Sequence, residues 1–171
     1  MLLFTVCFFV SEAYGEELQK ADKLIRETVD RVLTVIRNKD IKEKIKTEKL
    51  MDIVSPVFDF QLMARLSLGR SHWPKFSAKQ REKFTDLFVE QLRESYIGNV
   101  EMVADEIVEF NKPFYSGGKV HILTRVITKD EPIEILYKLY TDKKSGNLRI
   151  YDVEIQGISI IKSYGMQYDQ I

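Results

Sequence analysis

The sequence predicts an α+β domain in which N-terminal helices pack on one face of a curled antiparallel sheet of about four strands and enclose an apolar cavity. Between residues 18 and 97 the apolar residues recur at helical spacing, whereas after residue 105 they alternate as they do in strands. Turns rich in Gly, Asp and Ser separate the strand segments, and such short connections favour antiparallel pairing. Helices that precede strands in this way are typical of α+β folds.

The length and the N-terminal segment predict one domain behind a cleavable leader. A chain of 171 residues is long enough to bury one hydrophobic core. The apolar run Leu2–Val10 is too short to cross a bilayer, and small residues follow at Ala13 and Gly15, as they do before secretory cleavage sites. We therefore predict a signal peptide over residues 1–15 and a single domain over residues 16–171. A buried N-terminal strand or a partial membrane anchor is the alternative.

The composition argues against several classes of function. Cleavage of the leader would remove Cys7, which is the only cysteine, so disulfides and thiol catalysis are not expected. The 26 basic and 26 acidic residues give a formal net charge of zero, without the basic excess typical of nucleic-acid binding. The two histidines are far apart in the sequence, and no phosphate-binding glycine pattern precedes a helix. We expect no metal, no cofactor and no nucleic acid.

Three helices are predicted before residue 70. An amphipathic stripe covers Leu18–Asn38, with charged residues on its opposite face. A charged second helix covers about Asp40–Val54 and stops at Ser55, because Pro56 disfavours helical geometry in the residue before it. A short third helix covers about Asp59–Leu68, and the next residue is a glycine, which is common after a helix end.

A fourth helix begins at Ser77. Its hydroxyl can accept a hydrogen bond from the Gln80 amide while the Gln80 side chain reaches back to the Ser77 amide, which is the capping-box arrangement. Once the first turn is fixed, residues spaced by four lie on one face of the helix. This face forms an aromatic ridge directed to the interior: Phe84, Phe88, Leu92 and Tyr96.

Four strands are predicted after the helices, over Glu106–Phe110, Lys119–Thr128, Ile133–Tyr140 and Leu148–Gln156. They are apolar on more than one face. The sheet could be covered completely, with a filled core, or a strongly curved sheet over few helices could leave a cavity beside the aromatic ridge. On the second interpretation the lining residues are Phe60, Met63, Phe84, Phe88, Leu92, Tyr96, Ile122, Val126, Ile135, Tyr137, Leu139 and Val153.

The segment of residues 58–76 looks at first like an active-site loop. His72 could act as a base for Ser71 or Ser67, with Asp59 to orient it, but no nucleophile turn surrounds either serine. A joint between helices explains the same residues, because a glycine ends one helix and a capping serine begins the next. We therefore interpret this segment as structural.

The joint also has its own packing signal. Trp73 and Phe76 would pack on the core, and Pro74 would stiffen the approach to the next helix. Phe76 precedes the capping serine and is expected to contact Phe84 or the stem of Arg81, as in a hydrophobic staple.

Two competing functions are consistent with this fold. An enzyme on a cone like that of ketosteroid isomerase could use Asp152 or His121 inside the pocket. Asp152 lies on an apolar strand and needs a partner if it is buried, for which Arg65 or Arg125 is a candidate. The other possibility is an interaction module without a ligand, which would have a filled core.

Two long motifs resemble those of a known family. The stretches "FDF..MARLSLGRSHW..FSAKQREKFTDLFVEQLRESYIG" and "YDVEIQGISIIKSYGMQYDQI" are similar to the signature regions of the MlaC family, also called the toluene-tolerance family, of periplasmic phospholipid-binding proteins. The resemblance spans roughly residues 54–171. Relatives usually continue past Gln167 and Tyr168 into a further helix, so we expect a domain shortened at its C-terminus.

The resemblance implies a carrier without covalent chemistry. Helices over a curved sheet would enclose the acyl chains of a phospholipid, and the cavity-lining residues would be its lipid-binding residues. The carrier would work in the periplasm, between an inner-membrane ABC-transporter complex and an outer-membrane lipoprotein complex, and would support outer-membrane lipid asymmetry. Whether the cargo is a phospholipid or a hopanoid-type lipid stays open at this point.

Overall fold

The computed structural model describes residues 6–97 and 104–170, with side chains from residue 15 onward. Its helices are α1 (Val6–Arg37), α2 (Glu43–Val54), α3 (Phe60–His72), α4 (Ala78–Tyr96) and α5 (Ile160–Tyr168). Its strands are β1 (Ile107–Phe110), β2 (Phe114–Ser116), β3 (Lys119–Ile127), β4 (Ile133–Thr141), β5 (Leu148–Ile155) and β6 (Ile158–Ser159). The predicted α+β class is confirmed.

The strands form one curled antiparallel sheet in the order β1-β3-β4-β5-β6, and β2 also pairs with β3. The register between β4 and β5 shifts between Lys138 and Leu139, where a bulge leaves Tyr151 unpaired. A bulge bends its strand and increases the local twist. It therefore contributes to the curl at the part of the sheet that faces the helices.

The four predicted strands are present with small changes at their ends, but the reading of everything after residue 105 as strand was wrong. The structure adds the short strands β2 and β6, and residues 160–168 form helix α5. Ser159 begins this helix, since its side chain accepts a hydrogen bond from the Lys162 amide at 3.3 Å. Ile160, Tyr164 and Tyr168 are spaced by four, which is a helical signal that the strand interpretation overlooked.

The predicted helices α1 to α4 are also present. Helix α1 begins at Val6, inside the predicted leader, so cleavage after Gly15 stays a prediction. Helix α3 is broken at Gly69, whose φ of 75° and ψ of 177° are not helical. This is where the sequence predicted a helix end, although helical geometry resumes for one more turn. No helix in the described part of the chain is both long and apolar enough to cross a membrane.

The hydrophobic core lies between the helices and one face of the sheet. Helix α1 covers β3, because Ala21 and Ile25 are buried in the same cluster as Val120 and Ile122. Even-numbered residues of β3 are buried and odd-numbered ones are partly exposed, as expected when one face of an antiparallel sheet is covered. Burial of each large aliphatic side chain contributes about 1.5 to 3 kcal/mol.

The joint between α3 and α4 forms as predicted. Ser77 and Gln80 make both hydrogen bonds of the capping box. The rings of Trp73 and Phe76 contact that of Phe84 edge to face, with centroids 6.3 Å and 6.0 Å away. The staple-like contact of Phe76 is therefore confirmed, and it fixes the angle at which α4 leaves α3.

Candidate functional site

An apolar cavity of about 200 Å³ lies between the inner face of the sheet and helices α2, α3 and α4. Its wall is almost entirely hydrocarbon, and the sheet and α5 provide one side of it. The residues that line the cavity are Met51, Val54, Phe58, Phe60, Met63, Val89, Leu92, Arg93, Tyr96, Ile97, Ile135, Tyr137, Val153, Ile155 and Ile160.

Strands β4 and β5 provide the floor of the cavity. Ile135 pairs in register with Ile155, and Tyr137 pairs with Val153. Directly opposed residues of an antiparallel pair place their side chains on the same face. The alternation along these two strands therefore presents a continuous apolar surface to the helices.

The segment before α3 is held against the sheet by its backbone. The Asp59 amide donates to the carbonyl of Ile150 at 2.8 Å, and the Ile150 amide donates to the carbonyl of Val57 at 2.8 Å. These bonds form a short parallel bridge beside β5. The rings of Phe58 and Phe60 then stack with centroids 5.6 Å apart and line the cavity.

The C-terminal half of α4 provides the opposite wall. Val89, Arg93 and Ile97 are spaced by four and lie beside the line formed by Leu92 and Tyr96. Residues at such spacing lie on neighbouring lines of one helical face. This half of α4 thus borders the cavity, whereas its first half packs elsewhere.

The predicted lining residues fall into two groups. Phe60, Met63, Leu92, Tyr96, Ile135, Tyr137 and Val153 line the cavity. The others lie outside it: Phe84, Phe88, Ile122, Val126 and Leu139.

The second group lies in packed contacts, in which Phe84 is partly buried and the other four residues are buried. The Phe88 ring lies edge to face with Tyr164, and the Phe84 ring lies edge to face with Tyr168, so α5 covers the first half of the ridge. The inner residues of β3, such as Ile122, belong to the core cluster that α1 covers. Sequence periodicity placed them on the inner face correctly but could not distinguish a packed contact from a cavity wall.

Several lining residues were missed by the sequence analysis. Met51 and Val54 lie on α2, which we had interpreted only as a charged helix. Val89 and Ile97 adjoin the aromatic ridge, and their spacing of four with Arg93 was the signal that could have found them. Ile160 was missed because its helix was missed.

Two tyrosines, Tyr96 and Tyr137, line the cavity as neutral side chains. Burial raises the pKa of Tyr137, and the Thr124 side chain, to which it hydrogen bonds, partly offsets this shift. Burial also raises the pKa of Tyr96, with a smaller contribution from Tyr164. Both tyrosines therefore stay protonated at neutral pH and add little polarity to the wall. Arg93 is the only charged residue among the lining side chains that the structure describes.

Asp152 does not point into the cavity. It pairs in register with Lys138, on the face of the sheet opposite to Tyr137 and Val153. Its carboxylate accepts hydrogen bonds from Lys138 at 3.0 Å and from the Ser159 hydroxyl at 2.7 Å. The expected partners Arg65 and Arg125 were wrong, and Arg125 instead pairs with Glu134 on the same outer face.

His121 is also on the outer face, where it pairs in register with Lys138. Burial, with a contribution from Lys138, lowers the pKa of its imidazole. An enzyme that uses Asp152 or His121 inside the pocket therefore contradicts the geometry of the sheet. Within residues 6–97 and 104–170, no three His, Cys, Asp or Glu side chains are arranged to hold a metal ion.

The candidate catalytic residues of the helix joint do not converge. The Asp59 carboxylate accepts from the Leu62 amide at 2.9 Å and from the Tyr140 hydroxyl at 2.5 Å. The Ser67 hydroxyl donates to the carbonyl of Ala64. His72 Nε2 lies 3.6 Å from Asp169 Oδ1. Asp169 is next to the last residue that the structure describes. These side chains cap and join helices.

The sequence model of the MlaC protein family matches residues 26–171. The fold is similar to that of a phospholipid-binding protein from Ralstonia solanacearum, solved in complex with a phospholipid, with a TM-score of 0.79 and 22% identity over 89% of this chain and 87% of that one. No curated protein matches the chain. Because the family match spans most of the sequence, this protein belongs to the MlaC family.

Proposed function

We propose that this protein is a periplasmic phospholipid carrier that holds acyl chains in the cavity between sheet and helices. The observation that carries the proposal is the wall of that cavity, which is built from aliphatic and aromatic side chains on α2, α3, α4, β4 and β5. The Ralstonia protein of similar fold binds a phospholipid, which supports the same class of ligand here. No reacting group is needed for this task.

A phospholipid needs a carrier because its acyl chains cross water only at a high cost in free energy. Exposure of one CH₂ group to water costs ~0.8 kcal/mol of transfer free energy. A diacyl lipid has ~30 such groups, so its free transfer through water faces a barrier on the order of 20 kcal/mol. An apolar cavity removes most of this cost. The headgroup can remain in water at the opening, so few polar contacts are required.

The ligand-free cavity is small for this cargo. Its volume of about 200 Å³ is less than the ~300 to 1,000 Å³ of ordinary ligand pockets. Part of one acyl chain fits without change, whereas two chains require the lining side chains and helices to move apart. We therefore expect the distance between α4 and the sheet to be larger in the lipid-bound protein than in the ligand-free protein.

The proposed pathway is the one that resemblance to the MlaC family implies. The carrier would receive and deliver lipid between an inner-membrane ABC-transporter complex and an outer-membrane lipoprotein complex, and so support outer-membrane lipid asymmetry. The predicted leader over residues 1–15 is consistent with export to the periplasm. Cargo of the hopanoid type is the alternative within the same function.

Lipid extraction tests the proposal directly. Protein purified from a periplasmic extract is extracted with chloroform and methanol, and the lipids are identified by mass spectrometry. We expect near-stoichiometric phospholipid. A second measurement follows labelled phospholipid between donor and acceptor vesicles, which the delipidated protein should accelerate. If no lipid co-purifies and the protein does not accelerate transfer, the filled-core interaction module is favoured instead.

A further inference from the structure

We propose that a groove around Trp73, bordered by Arg65, Arg70, Arg81 and Lys144 and called the basic groove below, is a docking surface for an acidic segment of a partner protein. It lies on α3, on the joint to α4 and on the turn between β4 and β5, outside the apolar cavity. The inference goes beyond the proposed function, because it concerns a protein partner and does not depend on what the cavity holds.

Charge is distributed unevenly along this chain, although its formal net charge is zero. The segment of residues 84–109 contains seven acidic residues and one basic residue. The segment before it, residues 60–83, contains a single acidic residue, Glu82, and six basic ones: Arg65, Arg70, Lys75, Lys79, Arg81 and Lys83. Such a cluster of one sign creates a local potential that attracts partners of the opposite charge.

Two open clefts meet at Trp73 and bring the cations of distant segments together. The larger cleft, of about 520 Å³, lies between α3, the start of α4 and the turn after β4, and Arg65, Arg81 and Lys144 line it. The second cleft follows the end of α3, where Arg65 and Arg70 line it. Because Arg65 and Trp73 line both clefts, the four cations border one continuous surface.

The cations of the basic groove are available to a partner. Arg65, Arg70 and Lys144 are exposed. None of the four cations forms an ion pair with a carboxylate in the part of the chain that the structure describes. Arg81 is held in place by backbone carbonyls of the joint, at 3.2 Å and 3.3 Å, and by the Trp73 ring, whose centroid is 5.5 Å away. Its guanidinium is therefore fixed in position without being neutralised.

The two carboxylates of the groove are engaged within the protein. Asp59 accepts hydrogen bonds from the Tyr140 hydroxyl and from a backbone amide of α3. Asp142 accepts from the Lys144 amide at 2.9 Å and from the Ser145 hydroxyl at 3.0 Å, and so caps the turn between β4 and β5. Four cations face these two carboxylates, so the groove keeps an excess of positive charge.

An acidic protein segment fits this surface better than a lipid bilayer does. The planar guanidinium fork binds carboxylates bidentately, and Trp and Arg are the side chains that contribute most energy in protein interfaces. A bilayer surface is held by apolar side chains that insert into it. The large exposed apolar side chain that lines the basic groove is Leu66, at 42% exposure, which is too little for such an anchor.

The extent of the groove also limits how the segment can lie. The cleft on the other side of Arg81 is lined by Glu82 and Asp86, so the surface becomes acidic there. An acidic segment is repelled from this side and is directed along α3, towards Arg65 and Arg70. Opposite charges at the two ends of a docking surface fix the orientation of a partner.

Trp73 provides a direct measurement, because it is the only tryptophan of the chain and its fluorescence reports on the groove. The protein is titrated with a glutamate-rich model peptide and with the glutamine peptide of the same length. We expect a saturable change with the glutamate peptide only. Its affinity should fall steeply between about 0.1 M and about 1 M salt, because the Debye length shortens from about 10 Å to about 3 Å.

Variants of exposed residues test which cations matter. Arg65→Glu should weaken the binding of the glutamate peptide by roughly tenfold, since it places a like charge against the carboxylates. The double variant Arg65→Glu/Arg70→Glu should abolish binding, whereas Arg65→Lys should retain part of it. Lys44→Glu is the matched control, because this exposed lysine of α2 lines neither cleft. Thermal unfolding verifies that each variant is folded.

Crosslinking in cells tests whether a natural partner uses the groove. A photoreactive amino acid replaces Gln61, which is exposed and lines the larger cleft, and the crosslinked peptide is sequenced by mass spectrometry. We expect a segment of another protein that is rich in Asp and Glu, and we expect the crosslink to disappear in Arg65→Glu/Arg70→Glu. Replacement of acidic residues in that segment by lysine should restore crosslinking to Arg65→Glu.

Every other outcome contradicts the proposal. Equal binding of the glutamine peptide, or equal weakening by Lys44→Glu and Arg65→Glu, would mean that the groove does not recognise acidic segments. Arg65-dependent binding to phosphatidylglycerol vesicles without peptide binding would assign the groove to a membrane surface. Self-association that Arg65→Glu abolishes would assign it to a second copy of this chain. Absence of co-purified lipid, in contrast, would refute the carrier function and leave the docking surface unaffected.

Discussion

The carbonyl oxygen of Ser67 lies almost where a side chain at Gly165 would begin. A Cβ on Gly165 would be 3.1 Å from this oxygen, which brings the backbones of α3 and α5 into close contact. Helix α5 carries Ile160 to the cavity and Tyr164 to the aromatic cluster around Phe88. This helix crossing therefore sets how closely α5 covers the end of the sheet.

Gly165→Val should lower the free energy of unfolding by about 1 to 3 kcal/mol, because the added atoms force α5 away from α3. The change is measured by denaturant unfolding. Gln167→Val, at an exposed position of the same helix, controls for the lower helix propensity of valine. Equal effects of the two substitutions would contradict the role of the crossing.

Leu92→Trp and Phe88→Trp should behave differently, although both positions belong to the ridge of α4. Leu92 lines the cavity, so the larger side chain should take up ligand space and reduce co-purified lipid while stability stays near that of delipidated wild type. Phe88 is 1% exposed in packed core, so its enlargement should cost about 1 to 3 kcal/mol. Lipid analysis and thermal unfolding of both variants provide the check.

The reverse pattern would be informative. A Leu92→Trp protein that melts well below delipidated wild type, with no lipid in either protein, would favour a filled core and contradict the carrier.

Glu17 should contribute stability that is lost in acid. Hydrogen bonds from Thr141 and Tyr115 hold the pKa of Glu17 below its ordinary value, with the Thr141 bond the larger cause. Because the folded-state pKa is lowered, the contribution is fully present above the unfolded pKa of 4.5 and is lost as the pH falls through the folded value.

Glu17→Gln should remove the part of the pH dependence of stability that comes from the Glu17 carboxylate. The difference in unfolding free energy between wild type and variant should therefore be largest at neutral pH and shrink below pH 4.5. Glu16→Gln is a suitable control, since Glu16 is fully exposed and pairs with Lys20 on the same helix. A difference that does not change with pH would mean that the Glu17 carboxylate does not hold α1 to the sheet.

Cleavage of the leader is expected after Gly15. N-terminal sequencing of the exported protein should then begin at Glu16, and the mature chain should lack Cys7. Gly15→Leu, which replaces the small residue at the cleavage site, should delay processing. An exported protein that still begins at Met1 would contradict the prediction.

The sequence by itself determined the features that depend on neighbours along the chain. The Ser77 and Gln80 cap, the break at Gly69 and the four main strands follow from backbone geometry and residue periodicity, which act over a few residues. Alternation along β3 and β4 likewise identified the face that turns inward. The motifs that resemble the MlaC family led to the family that the match of its sequence model to residues 26–171 then established.

Only the tertiary structure decided which inward residues meet a cavity. Phe88 and Leu92 occupy the same line of α4, yet α5 packs on the first and leaves the second open, because of where that helix crosses α3. Asp152 was recognisable as a carboxylate on an apolar strand that needs a partner if it is buried, but its pairing with Lys138 depends on the register of two strands. Periodicity specifies the direction of a side chain, whereas the space in front of it is set by elements distant in sequence.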